Sequence, residues 1–310
     1  MPRVIVIGSS NRDFTVRLER LPRIGETVSG GEFYTSFGGK GANQALAAHK
    51  AGAEVILVAK VGRDENGDAM LRHLEESGLS TDRMIRDEHA PSGVALIVVD
   101  KDGANMIAVA PGANRNLTAE EIVNNTDAIA RARVLLIQLE VPLDCVQRAL
   151  AIAREHSVTT ILNPAPVRQL PRDLLSLVDI LTPNEVEAGM LTGDTVTEVR
   201  DALSAAHRLL DAGVKHVIVT LGEKGSLWVT RGQERFFPPC RVTPVDSTAA
   251  GDAFNGALAC ALAHGRPIQE AIRFANAAGA VTVTRRGAQS ALPAREEIEQ
   301  LLRSNQGEPC

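Results

Sequence analysis

Runs of consecutive apolar residues recur along the chain, spaced by segments with helical periodicity. "VIVIG" begins at Val4, and "VILVAKVG", "VLLIQLE", "TTILNP", "DILTPN" and "HVIVTLG" follow in order. No other feature restricts the fold as much. Strands that are apolar at successive positions bury both faces, as the strands of a parallel sheet flanked by helices do. Parallel neighbours need a crossover, and the intervening segments supply it. "DENGDAMLRHLEESG" and "DALSAAHRLLDAG" are amphipathic and stop at Gly78 and Gly213, as helices closing on a left-handed residue do. Thr118 and Glu121 stand at capping-box spacing before another helix. The pattern predicts an α/β protein with a doubly wound, mostly parallel sheet and helices on both faces.

Two stretches depart from that rhythm. Residues 14–37 and 92–110 alternate apolar and polar side chains with no helix between, and "DKDGAN" in the second is a hairpin turn. They predict antiparallel strands forming a small sheet, a lid over the carboxyl ends of the core strands, where open α/β sheets bind ligands. Residues 1–13, 38–91 and 111–304 then form the α/β domain, 14–37 and 92–110 the lid, and 305–310 a disordered tail.

Charge narrows the range of functions. The 310 residues carry a net charge of −5 with no long lysine or arginine run, so the basic footprint that nucleic acid demands is missing. No apolar run approaches the roughly 20 residues of a membrane helix. No charged leader with a cleavage site precedes the first strand. Cys145, Cys240, Cys260 and Cys310 are scattered without a CxxC pair, which favours reduced thiols over a disulfide framework or a zinc site. A cytoplasmic protein is expected.

The chemistry-bearing stretches fall at strand ends and helix starts. "PVDSTAAGDAFNGALACALAHG" puts Asp252 in the first turn of an apolar helix, after Ala249, Ala250 and Gly251, whose N–H groups are barely shielded. Such a carboxylate serves as a stabilising first-turn residue, or as a base beside amides that hold a phosphoryl group. "GSSNRDF" offers Asn11 and Asp13 at the end of the first strand, as turn formers or as a grip on hydroxyls. "SFGGKGANQA" sets glycines before Lys40 and Asn43. It is not a Walker loop, because Tyr34 and Gly41 occupy places that need glycine and Ser or Thr. It reads as a lid hinge or as backbone that a ligand approaches closely. Glu140 closes an otherwise apolar strand at the rim, as a solvated loop residue or a ligand contact. Asn184 and Glu187 fall three apart at a helix start, as a cap or as oxygen donors around a Mg²⁺-nucleotide. "VTLGEKGS" ends a strand in a Gly-x-x-Gly turn, either an ordinary tight turn or one open to a nucleotide.

In this order "GGKGANQA", "LNPAP", "TPNE", "TLGEKG", "DSTAAGDAFNGAL" and "FANAAGAVTVTRRGAQSALP" resemble the ribokinase family of sugar kinases, from Val4 to about Leu301. The resemblance implies a Rossmann-like α/β domain with a β-sheet lid that commonly forms a homodimer contact. It also implies ATP-dependent phosphorylation of O5 of D-ribose, giving D-ribose 5-phosphate and ADP. Asp252 would be the base, and Ala249, Ala250 and Gly251 the anion hole. Asn11, Asp13, Gly39, Lys40, Asn43 and Glu140 match sugar-binding positions. Asn184, the run Thr220, Leu221, Gly222, Glu223, Lys224 and Gly225, and Gly251 and Asn276 match nucleotide-binding positions. Asn184 with Glu187 would organise Mg²⁺ and phosphate through water. Asp246, Thr248, Thr282, Arg285, Gly287 and Ala291 match a site for an activating K⁺, several through main-chain carbonyls.

Two departures stand out. Ala249 replaces a frequent glycine, and its methyl is tolerated provided the residue does not need positive φ. Ala291 replaces a frequent serine of the cation site, with Ser290 adjacent. Other kinases of this fold act on 2-deoxyribose, fructose, sugar acids or nucleosides. Asn11 and Asp13 favour a compact polyol with adjacent hydroxyls, and an aromatic content of 3% leaves little for stacking on a base. A non-catalytic sugar sensor is expected to have lost Asp252 or the small residues around it, and both are present.

Overall fold

The computed structural model describes residues 3–304, and the tail expected at 305–310 lies outside the described residues. Among them are thirteen strands: β1 (Arg3–Ile7), β2 (Asn11–Arg17), β3 (Glu32–Gly38), β4 (Glu54–Gly62), β5 (Met84–Asp87), β6 (Gly93–Val99), β7 (Asn105–Ala110), β8 (Val134–Ile137), β9 (Thr159–Leu162), β10 (Ile180–Leu181), β11 (His216–Thr220), β12 (Ser226–Val229) and β13 (Glu234–Phe237). Nine of them form one sheet in the order β13-β12-β11-β10-β9-β8-β1-β4-β5. From β5 to β11 all neighbours run parallel, and β11, β12 and β13 close the far edge as an antiparallel meander.

Both faces of this sheet are buried, as the unbroken apolar runs require. Val4 and Val6 pack with Leu46 and Leu258 in one core, while their neighbours Ile5 and Ile7 pack with Ile122, Leu150 and Leu209 in the other. Full burial of each such side chain contributes about 1.5–3 kcal/mol. On the first face, the Lys40–Lys50 and Ala250–Ala263 helices approach very closely at Gly256. A Cβ there would lie 2.5 Å from the Ala47 methyl and 2.6 Å from the Gln44 carbonyl oxygen. That contact sets two helix N-termini side by side above the sheet.

The strand order reverses at β1, which pairs with β4 on one side and β8 on the other. A crevice opens at the carboxyl ends of such a pair. The Ser9 hydroxyl, just past β1, spans it by donating to the Glu140 carboxylate, just past β8.

The second sheet has the order β3-β2-β6-β7. Its outer pairs are antiparallel, but β2 and β6 run parallel, which corrects the expectation of a wholly antiparallel lid. Each insertion is an out-and-back hairpin, and the two outbound strands meet in the middle with Asn11 opposite Gly93 and Arg17 opposite Val99. The hairpin turn expected at "DKDGAN" is present, with the Gly103 amide donating to Asp100 O and Gly103 at φ 88°. β2 begins at Asn11, so Asn11 and Asp13 belong to this sheet rather than to a turn after β1.

Among the described residues no helix is long and apolar enough to cross a membrane. Cys145 and Cys260 are buried free thiols, whereas Cys240 is disulfide-bonded, so the expectation of reduced thiols does not hold for it. Spacing along the chain does not report distance in space.

Candidate active site

The chain enters the Lys40–Lys50 helix through Gly39 at φ 89°. A Cβ at Gly39 would lie 2.7 Å from Ser10 Cα, and one at Gly41 only 2.5 Å from the Ser9 nitrogen. Both positions need glycine because the helix start is pressed against the end of β1. Lys40 N–H donates to Glu140 at 3.0 Å, so the carboxylate closing "LLIQLE" is held by Ser9 and by this helix start. Asn11 is buried, and its Oδ1 accepts from Asn114 Nδ2 at 2.7 Å. Asp13 packs against Gly38, where a Cβ would lie 2.2 Å from its Oδ2. Burial, with Glu140 adding to it, pushes the Asp13 carboxyl up to about 7 against the pull of Arg12.

The Ala250–Ala263 helix starts after Ala249 at φ 60°, with the Ala250 N–H turned back to Ser247 O at 3.3 Å. Asp252, in the first turn, is 7% exposed. Its Oδ2 accepts from Asn43 Nδ2 and its Oδ1 from Gln44 Nε2, each at 2.9 Å. Burial raises its pKa, and the Lys40 charge and these two donors pull it back. Burial would depress the Lys40 ammonium, but Asp252, Glu140 and Glu187 together outweigh it and hold the ammonium above its ordinary value. One cation thus serves three carboxylates.

Across the cleft, Asn184 and Thr220 meet in an isolated parallel bridge. Asn184 Oδ1 accepts from the Glu187 amide at 2.8 Å and Glu187 Oε2 from the Asn184 amide at 3.0 Å, a capping box that starts the Glu185–Thr192 helix. Burial raises the Glu187 pKa, Asp252 adds to the rise, and the Asn184 amide and Lys40 oppose it.

Lys40, Asn184, Glu187, Thr220, Ala249, Gly251 and Asp252 line one cleft, joined by Asn163, Ala165, Thr182, Ser247 and Asn255. Asn43 and Glu140 lie behind this lining, bonded to Asp252 and to the Lys40 amide. The other positions of the Thr220–Gly225 run stand apart from it. Leu221 and Gly225 are buried, and Gly222, Glu223 and Lys224 form an exposed 3₁₀ turn. The Lys224 ammonium is engaged by Glu185 at 3.2 Å. Asn276 is half-buried on the Ile268–Thr282 helix, and its Nδ2 has no hydrogen-bond partner.

Of the expected cation positions, Thr248 and Gly287 are bonded to Asp246. Its Oδ1 accepts from the Thr248 amide at 2.9 Å and hydroxyl at 2.7 Å, and its Oδ2 from the Gly287 amide at 2.9 Å. The Thr282 hydroxyl is spent on Ala278 O at 2.8 Å, Arg285 pairs with Glu297, and Ala291 is fully buried. No group of three or more His, Cys, Asp or Glu side chains suited to a metal gathers among the described residues.

A buried carboxylate at a helix N-terminus, facing a lysine and a second helix cap across one cleft, is equipped to deprotonate a hydroxyl beside a bound anion. The sequence model of the pfkB family carbohydrate kinases matches residues 1–295. The chain belongs to the pfkB family of carbohydrate kinases. It is 41% identical to a ribokinase of Haemophilus influenzae over 298 residues, 96% of this chain and 97% of that one. It is also 37% identical to a deoxyribokinase of Salmonella typhi over 304 residues, 98% of this chain and 99% of that one. The structure of an Arabidopsis thaliana ribokinase complexed with ribose and ATP superposes with a TM-score of 0.90 at 32% identity, covering 97% of this chain and 98% of that one.

Within this pfkB-family cleft, Asn163, Thr182 and Asn255 escaped the sequence reading. "LNPAP" and "TPNE" contain two of them, but neither Asn163 nor Thr182 carries a spacing that marks a site. Ala249 is a correction. Its tolerance was conditional on φ not being positive, and φ is 60°. The chain must reverse between Ser247 and the helix, and a left-handed residue makes that turn. A non-glycine residue there is strained by roughly 1–2 kcal/mol. Ala249→Gly is therefore expected to raise the unfolding free energy by about 0.5–1 kcal/mol, part of the relief being offset by glycine's greater unfolded entropy. Denaturant titration checks this, and an unchanged or lowered midpoint would contradict it.

Proposed function

We infer that this protein transfers the γ-phosphoryl group of ATP to O5 of D-ribose, giving D-ribose 5-phosphate and ADP. The observation that carries the reading is the buried Asp252 carboxylate at a helix start, in a cleft shared by Lys40, Asn184, Glu187 and Thr220. Asn11, Asp13, Gly39, Lys40, Asn43 and Glu140 hold the sugar at the crevice between β1 and β8. Asp252 takes the O5 proton, and burial, by raising its pKa, makes the carboxylate a stronger base. The amides of Ala249 and Gly251, which line the cleft, receive the transferring phosphoryl group, whereas the Ala250 amide is held by Ser247 O. Transfer of this kind needs in-line placement and charge stabilisation more than covalent help. Asn184, Asn276 and the Thr220–Gly225 segment hold the nucleotide, and the unpartnered Asn276 Nδ2 supports a polar contact there.

Mg²⁺ would neutralise phosphate charge. Asn184 and Glu187 fit it through water, since the cap occupies only one oxygen of the Glu187 carboxylate. K⁺ would be held at Asp246, Thr248, Thr282, Arg285, Gly287 and Ala291 through main-chain carbonyls, because the Asp246 carboxylate and the Thr248 and Thr282 hydroxyls are already engaged and Ala291 brings no hydroxyl. Closure of the lid, residues 14–37 and 92–110, over the sugar would exclude water and limit ATP hydrolysis. ATP as co-substrate supports a cytoplasmic setting.

The deoxyribokinase relative favours 2-deoxyribose as the second reading. The polar pair Asn11 and Asp13 supports ribose, whose adjacent hydroxyls use both. The test is ADP release with a panel of pentoses, deoxypentoses, hexoses and nucleosides, each with and without K⁺. Ribose is expected to show the highest kcat/KM, and a tenfold or greater preference for another sugar would overturn the assignment.

The small sheet also exposes apolar side chains on both faces: Phe33, 64% exposed, with Leu96 and Met106 on one, and Ile107, 57% exposed, with Tyr34 and Val109 on the other. The exposed apolar face of Tyr34, Ile107 and Val109 favours a partner, and a second copy of this chain joined lid to lid is the occupant proposed. Ile107→Asp is expected to convert a dimer to a monomer in light scattering. A wild-type protein that is monomeric at all concentrations would dismiss the dimer.

A further inference from the structure

We propose that Gln44 is a positioning residue for the phosphoryl transfer, holding the Asp252 carboxylate in its working orientation while Gln138 and Asn163 lock Gln44 itself. The proposal rests on the reading of Asp252 as the base. Gln44 is 0% exposed and does not line the cleft, so it touches neither sugar nor nucleotide. Any effect it has on turnover passes through Asp252.

The direction of each bond in the Gln44 arm follows from a main-chain acceptor. Asn163 Nδ2 donates to Thr182 O at 3.0 Å, which turns Asn163 Oδ1 toward Gln44. Gln44 Nε2 spends its two hydrogens on Asn163 Oδ1 at 3.0 Å and Asp252 Oδ1 at 2.9 Å. Gln44 Oε1 accepts from Gln138 Nε2 at 2.6 Å. A flipped Gln44 would set oxygen against two oxygens and N–H against N–H. A second arm also reaches Asp252: Gln289 Nε2 donates to Asn43 Oδ1 at 3.0 Å, leaving Asn43 Nδ2 for Asp252 Oδ2, and Gln289 Oε1 rests 2.9 Å from His73 Nε2. Both arms end in N–H donors, so neither offers an acceptor to a protonated acid. They favour the ionised carboxylate that burial opposes, and leave a lone pair for the substrate proton.

Gln44→Leu is expected to lower kcat by about 10- to 100-fold, with the sugar KM within about twofold and the acid limb of kcat moved to higher pH. The deciding measurement repeats the substitution in an Asp252→Ala background, where Gln44→Leu should cost less than about twofold because its target is gone. Equal losses in both backgrounds, or parental kcat in folded Gln44→Leu, would overturn the role of Gln44. Should circular dichroism show Gln44→Leu unfolded, Gln138→Met decides, since it releases the Gln44 oxygen without touching Asp252. A several-fold loss of kcat confined to the Asp252 background supports the proposal, and unchanged kcat overturns it. Parental turnover in Asp252→Ala alone would instead remove the base reading, a failure distinguishable from that of Gln44.

Discussion

Asp252→Asn is expected to lower kcat by about 10²–10⁴-fold while leaving the sugar KM within a few-fold. The amide keeps the size and hydrogen-bonding length of the carboxylate but has no lone pair basic enough to take the hydroxyl proton. Turnover left in the variant is what the helix N-terminal amides and substrate placement supply on their own. One local cost accompanies the change. Asn43 Nδ2 and Gln44 Nε2 both donate to the carboxylate, so one of them must face the new amide's NH₂. Isothermal titration with the sugar separates that rearrangement from the chemistry, because a disturbed pocket would weaken binding and a missing base would not. Single-turnover measurements then place the loss in the phosphoryl-transfer step rather than in product release. Near-parental turnover would take Asp252 out of the base role.

The alternation of buried runs with helical segments made the large sheet legible, because burial of both faces leaves a composition that polar loops cannot imitate. The two hairpin insertions were legible from their period-two pattern, but the parallel pairing of β2 with β6 was not. Strand direction inside a sheet depends on where each insertion leaves the core, and that is a property of the assembled fold. The glycine at position 39 and the capping pair Asn184 and Glu187 announced themselves because local geometry dictates residue type. Ala249 concealed its left-handed backbone, since alanine ordinarily signals the opposite. The amide cluster around Asp252 was invisible for a different reason. Gln44, Gln138 and Asn163 come from three separate elements, and Gln44 lies 208 positions from the carboxylate it holds. Amides have no period and no spacing rule, so only the fold brings them together.

Sugar affinity is expected to depend on pH through Asp13, and in the opposite direction to stability. The Asp13 carboxyl is raised to about 7 by burial and by Glu140. Its ionised form accepts hydrogen bonds from sugar hydroxyls, so kcat/KM for ribose should fall about tenfold for each pH unit below that value and level off above it. The folded pKa lies above the unfolded value near 3.8, so the folded chain binds the extra proton between the two. The stability this group contributes is fully present below the unfolded pKa and is lost as pH rises through about 7. Asp13→Asn should therefore be more stable than the parent at pH 8, with the difference shrinking toward pH 5, while its ribose KM loses the acid limb. The raised carboxyl of Asp252 enters kcat and kcat/KM alike, so the ribose KM is the readout specific to Asp13. Ribose KM measured from pH 5 to 9, beside urea midpoints for both proteins, tests the pair of slopes. A KM that stays flat across that range would show that the Asp13 charge does not hold the sugar, whatever the stability curves do.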